Sequence, residues 1–134
     1  MLLLFSIFVD AKTSQNEWIG MASYYHIKFD GRKTASGEIF SSQKLTAANN
    51  FLKLGTRVKV TNLKNKNSVI VLINDRMARH NKRLIDLSEF AAKQLGFYGH
   101  GLCKVRVEID HPSEKEFKNA ERQNDTTSKP SKLP

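Results

Sequence analysis

The chain holds a single cysteine, Cys103, among 134 residues. No disulfide can therefore form within it, and one Cys with four scattered His offers none of the spacing a zinc site needs. No metal and no cofactor are expected. Long hydrophobic runs are missing as well: the N-terminal stretch Leu2 to Val9 is too short to cross a bilayer. Acidic residues are scarce, with 13 Asp+Glu against 22 Lys+Arg and a net charge of +9. Between Lys12 and Asp110 the balance is 17 basic to 8 acidic residues, whereas His111 to Pro134 holds 5 and 4, so the basic character belongs to the folded part. Such a surface suits a polyanion, whether an anionic cell wall, anionic lipid or nucleic acid, and net charge does not choose among them.

At this length and with 40% hydrophobic residues, one modest domain with one core is expected. The apolar run at the start ends in Val9-Asp10-Ala11, a small-x-small pattern suited to cleavage after Ala11. Residues 1–11 therefore read as an export signal. No Lys or Arg precedes the run, which is the expectation for a true start lying upstream. Export, together with the lack of an aromatic RNA-binding motif, argues against a nucleic-acid partner. After Asp110, Ser, Thr, Asn, Lys and Pro dominate, so 111–134 is expected to be a disordered polar tail, with a transient helix over Glu114 to Gln123.

The interior reads as short strands joined by turns. Trp18 to Lys28 is extended, and Phe29 to Lys33 is turn-rich. Thr56 to Leu63 alternates Val58 and Val60 with polar residues, and Lys64 to Asn67 links it to Val69-Ile70-Val71-Leu72-Ile73 as in a hairpin. That last run is apolar enough for a strand buried on both faces. Cys103, Val105, Val107 and Ile109 alternate with polar neighbours, as in a half-buried strand whose inert thiol faces the core. Ser88 is a good N-cap for Glu89 to Leu95, with Gly96 at the end, and this helix is expected to bury Phe90, Ala91 and Leu95.

Chemistry concentrates where the Val69–Ile73 strand emerges, at Asn74-Asp75-Arg76. A carboxylate there is held on a rigid element, and burial beside it raises its pKa. Glu38, in the Gly-containing loop Thr34 to Glu38, could face it, and two carboxyls on a small β-scaffold suit acid/base work on a glycosidic bond. Taken alone, Asp75 reads equally as a turn residue paired with Arg76, and Glu38 as an exposed loop carboxylate. Arg76 is expected to pair with Asp75 or Asp86, and Asp86 to hold the turn into the helix through backbone N–H groups. Tyr25 is the aromatic best placed to stack on a sugar ring, with Trp18 and Tyr24 packing in the core or at its rim. Arg79, His80, Lys82 and Arg83 form a basic cluster suited to an anionic polymer.

Seven phrases, in order, carry a resemblance: Gly20-Met21-Ala22-Ser23-Tyr24-Tyr25, Gly31 to Glu38, Thr46-Ala47-Ala48, Leu54-Gly55-Thr56, Val58 to Leu63, Asn74-Asp75-Arg76 and Ile85-Asp86-Leu87-Ser88. Over Trp18 to Asp110 the chain resembles the rare lipoprotein A family of bacterial cell-envelope proteins. The resemblance implies a mainly β fold, a six-stranded double-psi β-barrel with one or two short helices, occupying 18–110. It implies endolytic lytic transglycosylase activity on peptidoglycan glycan strands stripped of stem peptides, in the periplasm or cell envelope. The partners expected are peptidoglycan glycan strands and a transient membrane or septal association, with the protein monomeric. No Cys follows the apolar run, so lipid attachment is not expected.

A lytic transglycosylase needs one well-placed carboxyl, because the C6 hydroxyl of muramic acid closes on the anomeric carbon. That carboxyl acts first as acid and then as base. The resemblance assigns this work to Asp75, with Glu38 orienting sugar or tuning Asp75, and Asn49, Tyr25 and Arg76 binding substrate. Two departures stand out. Asn49 replaces the family His after Thr-Ala-Ala and cannot transfer a proton near neutral pH. Asp75-Arg76-Met77-Ala78 lacks the family's Gly-Pro after Asp-Arg, which remodels the cleft edge, and His80 lies too far along to stand in for the missing His. A non-catalytic cell-wall glycan-binding barrel is the alternative these departures leave open. For a catalytic barrel, Asp75 and Glu38 are expected to line one groove with Asn49 at its edge.

Overall fold

The computed structural model describes residues 16–113 together with 116, 118, 119 and 122. The expected export signal over 1–11 and most of the tail lie outside the described residues. Of the tail, residues 116, 118, 119 and 122 are helical, and the backbone N–H of Ser113 donates to the Glu116 carboxylate at 2.9 Å.

Six strands close into a barrel: β1 (Glu17–Tyr24), β2 (Thr46–Ala48), β3 (Arg57–Asn62), β4 (Ser68–Asp75), β5 (Ile85–Leu87) and β6 (Cys103–Ile109). Their order around the ring is β1-β5-β2-β4-β3-β6. β1/β5 and β2/β4 are parallel pairs, and the other four contacts are antiparallel. The two parallel pairs matter most for the site. They set Ser23 opposite Asp86 and Ala48 opposite Asp75.

Alternation explains which faces turn inward. Val58 and Val60 of β3, Val71 and Ile73 of β4, and Val105 and Val107 of β6 are almost wholly buried, together with Ile85 and Leu87 of β5. Each such side chain contributes roughly 1.5–3 kcal/mol relative to exposure. β4 is not buried on both faces as its composition suggests. Ile70 and Leu72 are only half-buried, because the outer wall of a six-stranded barrel has few elements to cover it. Cys103 is buried in the core, and burial pushes its thiol pKa up, away from the reactive thiolate.

β2 and β5 are three residues each, too short for a periodic signal in sequence, yet every residue of both is buried. α1 (Glu89–Leu95) is capped by the Ser88 hydroxyl, which accepts from the Ala91 N–H. It buries Ala91, Ala92 and Leu95 rather than Phe90, which stays half-buried. Gly96 ends it at φ +77°, and a Cβ there would meet Asn65 Nδ2 at 2.8 Å. Asn65 Nδ2 and Asn62 Nδ2 both donate to the carbonyl of Leu95, so the close approach is the helix cap itself.

Candidate active site

β4 ends in a bulge. Ala47 pairs with Ile73 and Ala48 with Asp75, which leaves Asn74 as the extra residue on β4. Bulges bend a strand and re-aim the next side chain, and this one delivers Asp75 to the barrel's end. The long connection between β1 and β2 folds back over that end. It opens with a 3-10 turn at Ile27–Phe29 and is pinned midway by Asp30, whose two oxygens accept from the Ser42 N–H at 2.6 Å and the Ser42 hydroxyl at 2.9 Å. Further along, the Ser36 N–H donates to the carbonyl of Asn74 at 3.0 Å and the Ala35 N–H to Asp75 Oδ1 at 2.9 Å.

Three donors fix the Asp75 carboxylate. Oδ1 accepts from the N–H groups of Ala35 and Arg76, at 2.9 and 2.8 Å, and Oδ2 accepts from the Tyr25 hydroxyl at 2.8 Å. Tyr25 is itself wedged edge-on against Phe40, with ring centroids 4.7 Å apart, and lies 5.7 Å from Phe29. Burial, followed by the hydrogen bond to Asp75, raises the Tyr25 pKa far above its ordinary value, so the hydroxyl remains a donor. Tyr25 thus holds the carboxylate and is packed against two rings. Tyr25, singled out in the sequence for stacking on a sugar, lines the cavity and also gives its hydroxyl to Asp75.

Asp75 and Tyr25 open onto a cavity of about 640 Å³. A second carboxylate lines it. Asp86 is buried and accepts from the Ser23 hydroxyl at 2.6 Å and, bidentately, from Arg83 Nε and Nη2 at 2.9 and 3.1 Å. These are side-chain partners. The backbone N–H contacts expected of Asp86 are not formed, because its pairing with β1 turns it toward Ser23. Asp86 is the site residue that sequence reasoning placed elsewhere, and only the parallel β1/β5 register identifies it.

The other expected residues are distributed differently. Glu38 is exposed on the loop that reaches Asp75, but it accepts from Ser36 Oγ at 3.2 Å and is not among the residues lining the cavity. Arg76 borders the cavity, yet its guanidinium pairs with neither Asp75 nor Asp86. Nη1 donates to the carbonyls of Asn49 and Leu52, both at 2.6 Å, clamping the turn after β2. Asn49 does not sit at a groove edge. It is wholly buried, donating through Nδ2 to the Leu84 carbonyl and accepting through Oδ1 from the N–H groups of Phe51 and Leu52. Its Oδ1 is spent on the turn after β2 and its Nδ2 on the segment entering β5, so both polar atoms of the side chain are engaged inside the fold. Trp18 packs edge-on against Phe51, and Tyr24 against Phe97 and Tyr98. Of the basic cluster, His80, Lys82 and Arg83 border a second hollow of about 550 Å³ with Met21 and Leu102.

Residues 18–107 match the family described as lytic transglycolase. Among curated proteins, the chain is 53% identical over 92 residues to the endolytic peptidoglycan transglycosylase RlpA of Haemophilus influenzae, covering 69% of this chain and 32% of that protein. It is 48% identical over 90 residues to the Pseudomonas aeruginosa protein of the same name, covering 67% and 26%. The chain therefore spans about a third or less of these relatives. Among solved structures it is similar to Streptomyces papain inhibitor, with a TM-score of 0.60, 18% identity and coverage of 72% of this chain and 96% of that one. It is also similar to an expansin of Clavibacter michiganensis solved with cellohexaose, with a TM-score of 0.58, 19% identity and coverage of 72% and 52%. At such identities the likeness speaks for the fold.

Proposed function

The chain is a double-psi β-barrel belonging to the lytic transglycolase family, and we propose that it cleaves peptidoglycan glycan strands endolytically, leaving anhydro-muramic ends. One observation carries the reading: the Asp75 carboxylate, delivered by a bulge and held by three donors, opens onto a cavity large enough for sugar rings. The names of the 53% and 48% identical relatives support the same chemistry.

In this reading Asp75 gives a proton to the glycosidic oxygen as the bond from the muramic anomeric carbon to that oxygen breaks. The carboxylate then takes the proton of the C6 hydroxyl as its oxygen bonds to the anomeric carbon. The same proton count is restored at the end, and no water is consumed. Tyr25, Ala35 and Arg76 hold the carboxylate in place through both steps, which is the positional part of the catalysis. Glu38 serves at most to orient sugar from the loop above, and Arg76 binds substrate only at the cavity's margin. Asn49 contributes by shaping the turn that Arg76 clamps. The substrate is a strand stripped of stem peptides. The protein acts as a monomer in the cell envelope after export through residues 1–11, with transient contacts to membrane or septum.

Incubation of the full chain with purified peptide-free strands, followed by mass analysis, tests the proposal. Anhydro-muramic products are expected from the natural protein, and Asp75→Asn is expected to lower their rate by about a hundred- to ten-thousandfold while binding survives. Binding without any anhydro product from the natural protein would sink the enzymatic reading.

A further inference from the structure

Cations dominate the cavity that holds Asp75. Lys28, Arg32, Lys33, Arg76 and Arg83 line it, against Asp75 and Asp86. Arg83 is engaged by Asp86, and Arg76 by two carbonyls. Lys28 and Arg32 are arranged differently. Lys28 Nζ stands 5.4 Å, and Arg32 Cζ 5.2 Å, from the centroid of the same Phe29 ring. Neither makes an ion pair among the described residues. The acid between them in sequence, Asp30, has both oxygens committed to Ser42 and does not neutralise them.

Two cations that line one cavity and have no ion-pair partner among the described residues attract an anion that enters it. Their position is tied to the reacting group. Phe29 lies against Tyr25, and Tyr25 donates to Asp75, so the pair of cations belongs to the cavity in which the glycan is to be cut. In a glycan strand of alternating amino sugars, the acidic group is the lactyl carboxyl of muramic acid. A stem peptide converts that carboxyl into a neutral amide. A guanidinium and an ammonium lining the same cavity favour the free carboxylate over the amide.

We propose that Lys28 and Arg32 form a carboxylate subsite that reads the lactyl group of a muramic acid without its stem peptide. The proposal rests on the peptidoglycan reading above and names the residues that would make the site selective.

The test uses the full chain carrying Asp75→Asn, so that substrate survives, and measures equilibrium binding to two probes. One is peptide-free glycan strands, and the other is the same strands with the lactyl carboxyls converted to methylamides. Methylamidation is expected to weaken binding about tenfold or more. Adding Lys28→Gln with Arg32→Gln should weaken binding of the native strands by a similar factor and leave the methylamide strands unaffected. Exchange of the two cations, Lys28→Arg with Arg32→Lys, should restore discrimination. Equal loss on both probes, or no loss on either, would overturn the subsite. Cleavage by the otherwise natural chain separates the two readings. Unchanged anhydro products from methylamidated strands refute the subsite alone. Absence of such products from every strand refutes the enzymatic reading, while the binding comparison still decides the subsite.

Discussion

The Tyr25 hydroxyl donates to Asp75 Oδ2 at 2.8 Å, and that contact is the part of the proposed catalytic arrangement most open to a single-atom change. Tyr25→Phe removes the donor and leaves the ring against Phe29 and Phe40. With one oxygen of Asp75 released, kcat is expected to fall about ten- to a hundredfold with little change in KM, read by product analysis on naked strands. The same variant carries a pH signature. Below pH 10 the hydroxyl is protonated in both folded and unfolded chains. Above it the unfolded chain loses the proton while the folded site, with its raised pKa, keeps it, so the stability derived from this contact declines as pH rises. Denaturation at several alkaline pH values should therefore show the gap between natural and Tyr25→Phe proteins narrowing above about pH 10.

At the scale of elements, the connection between β1 and β2 decides whether the barrel has a site at all. It supplies Tyr25, the cations on Phe29 and the Ala35 N–H that holds Asp75. Its midpoint depends on one side chain, since Asp30 accepts both the N–H and the hydroxyl of Ser42. Asp30→Ala is expected to loosen residues 26–42 and lower activity while the barrel keeps its melting temperature within a few degrees. Hydrogen exchange should rise in that connection and stay unchanged in β3 and β6. Exchange rising across the whole barrel would mean that Asp30 supports the fold and not merely the loop.

At the scale of the molecule, closure couples everything. Tyr25 and Asp75 are 50 residues apart in sequence and Ser23 and Asp86 are 63 apart, yet both pairs meet at one end of the ring. β6 closes that ring by pairing with β1 on one side and β3 on the other, and Val107 is wholly buried at the seam. Val107→Ala leaves a cavity and should cost about 2 kcal/mol. Since one core serves all six strands, the loss is expected in a single transition, with tyrosine fluorescence and far-ultraviolet dichroism changing together. Separate transitions would mean that the cavity end unfolds on its own.

The strands that alternate were legible before any coordinates. Val58 and Val60, and Val105 and Val107, declare an inward face through a period of two, and Ser88 and Gly96 mark the ends of the helix through capping chemistry that is local. Asp75 could be singled out because it follows an apolar run, a pattern contained within a few neighbouring residues. What sequence could not decide depends on pairing between distant segments. β2 and β5 are too short to show a period and become strands only when the barrel closes on them. Asp86 reaches Ser23 and the cavity only through the parallel register of β1 with β5. The bulge at Asn74 aims Asp75, and the buried turn after β2 takes Asn49 out of the groove and claims the guanidinium of Arg76. Local patterns fix which residues want burial or a cap, because those preferences act over a turn or two. The company each polar group keeps is decided by the closed ring, which alone brings its partners within hydrogen-bonding distance.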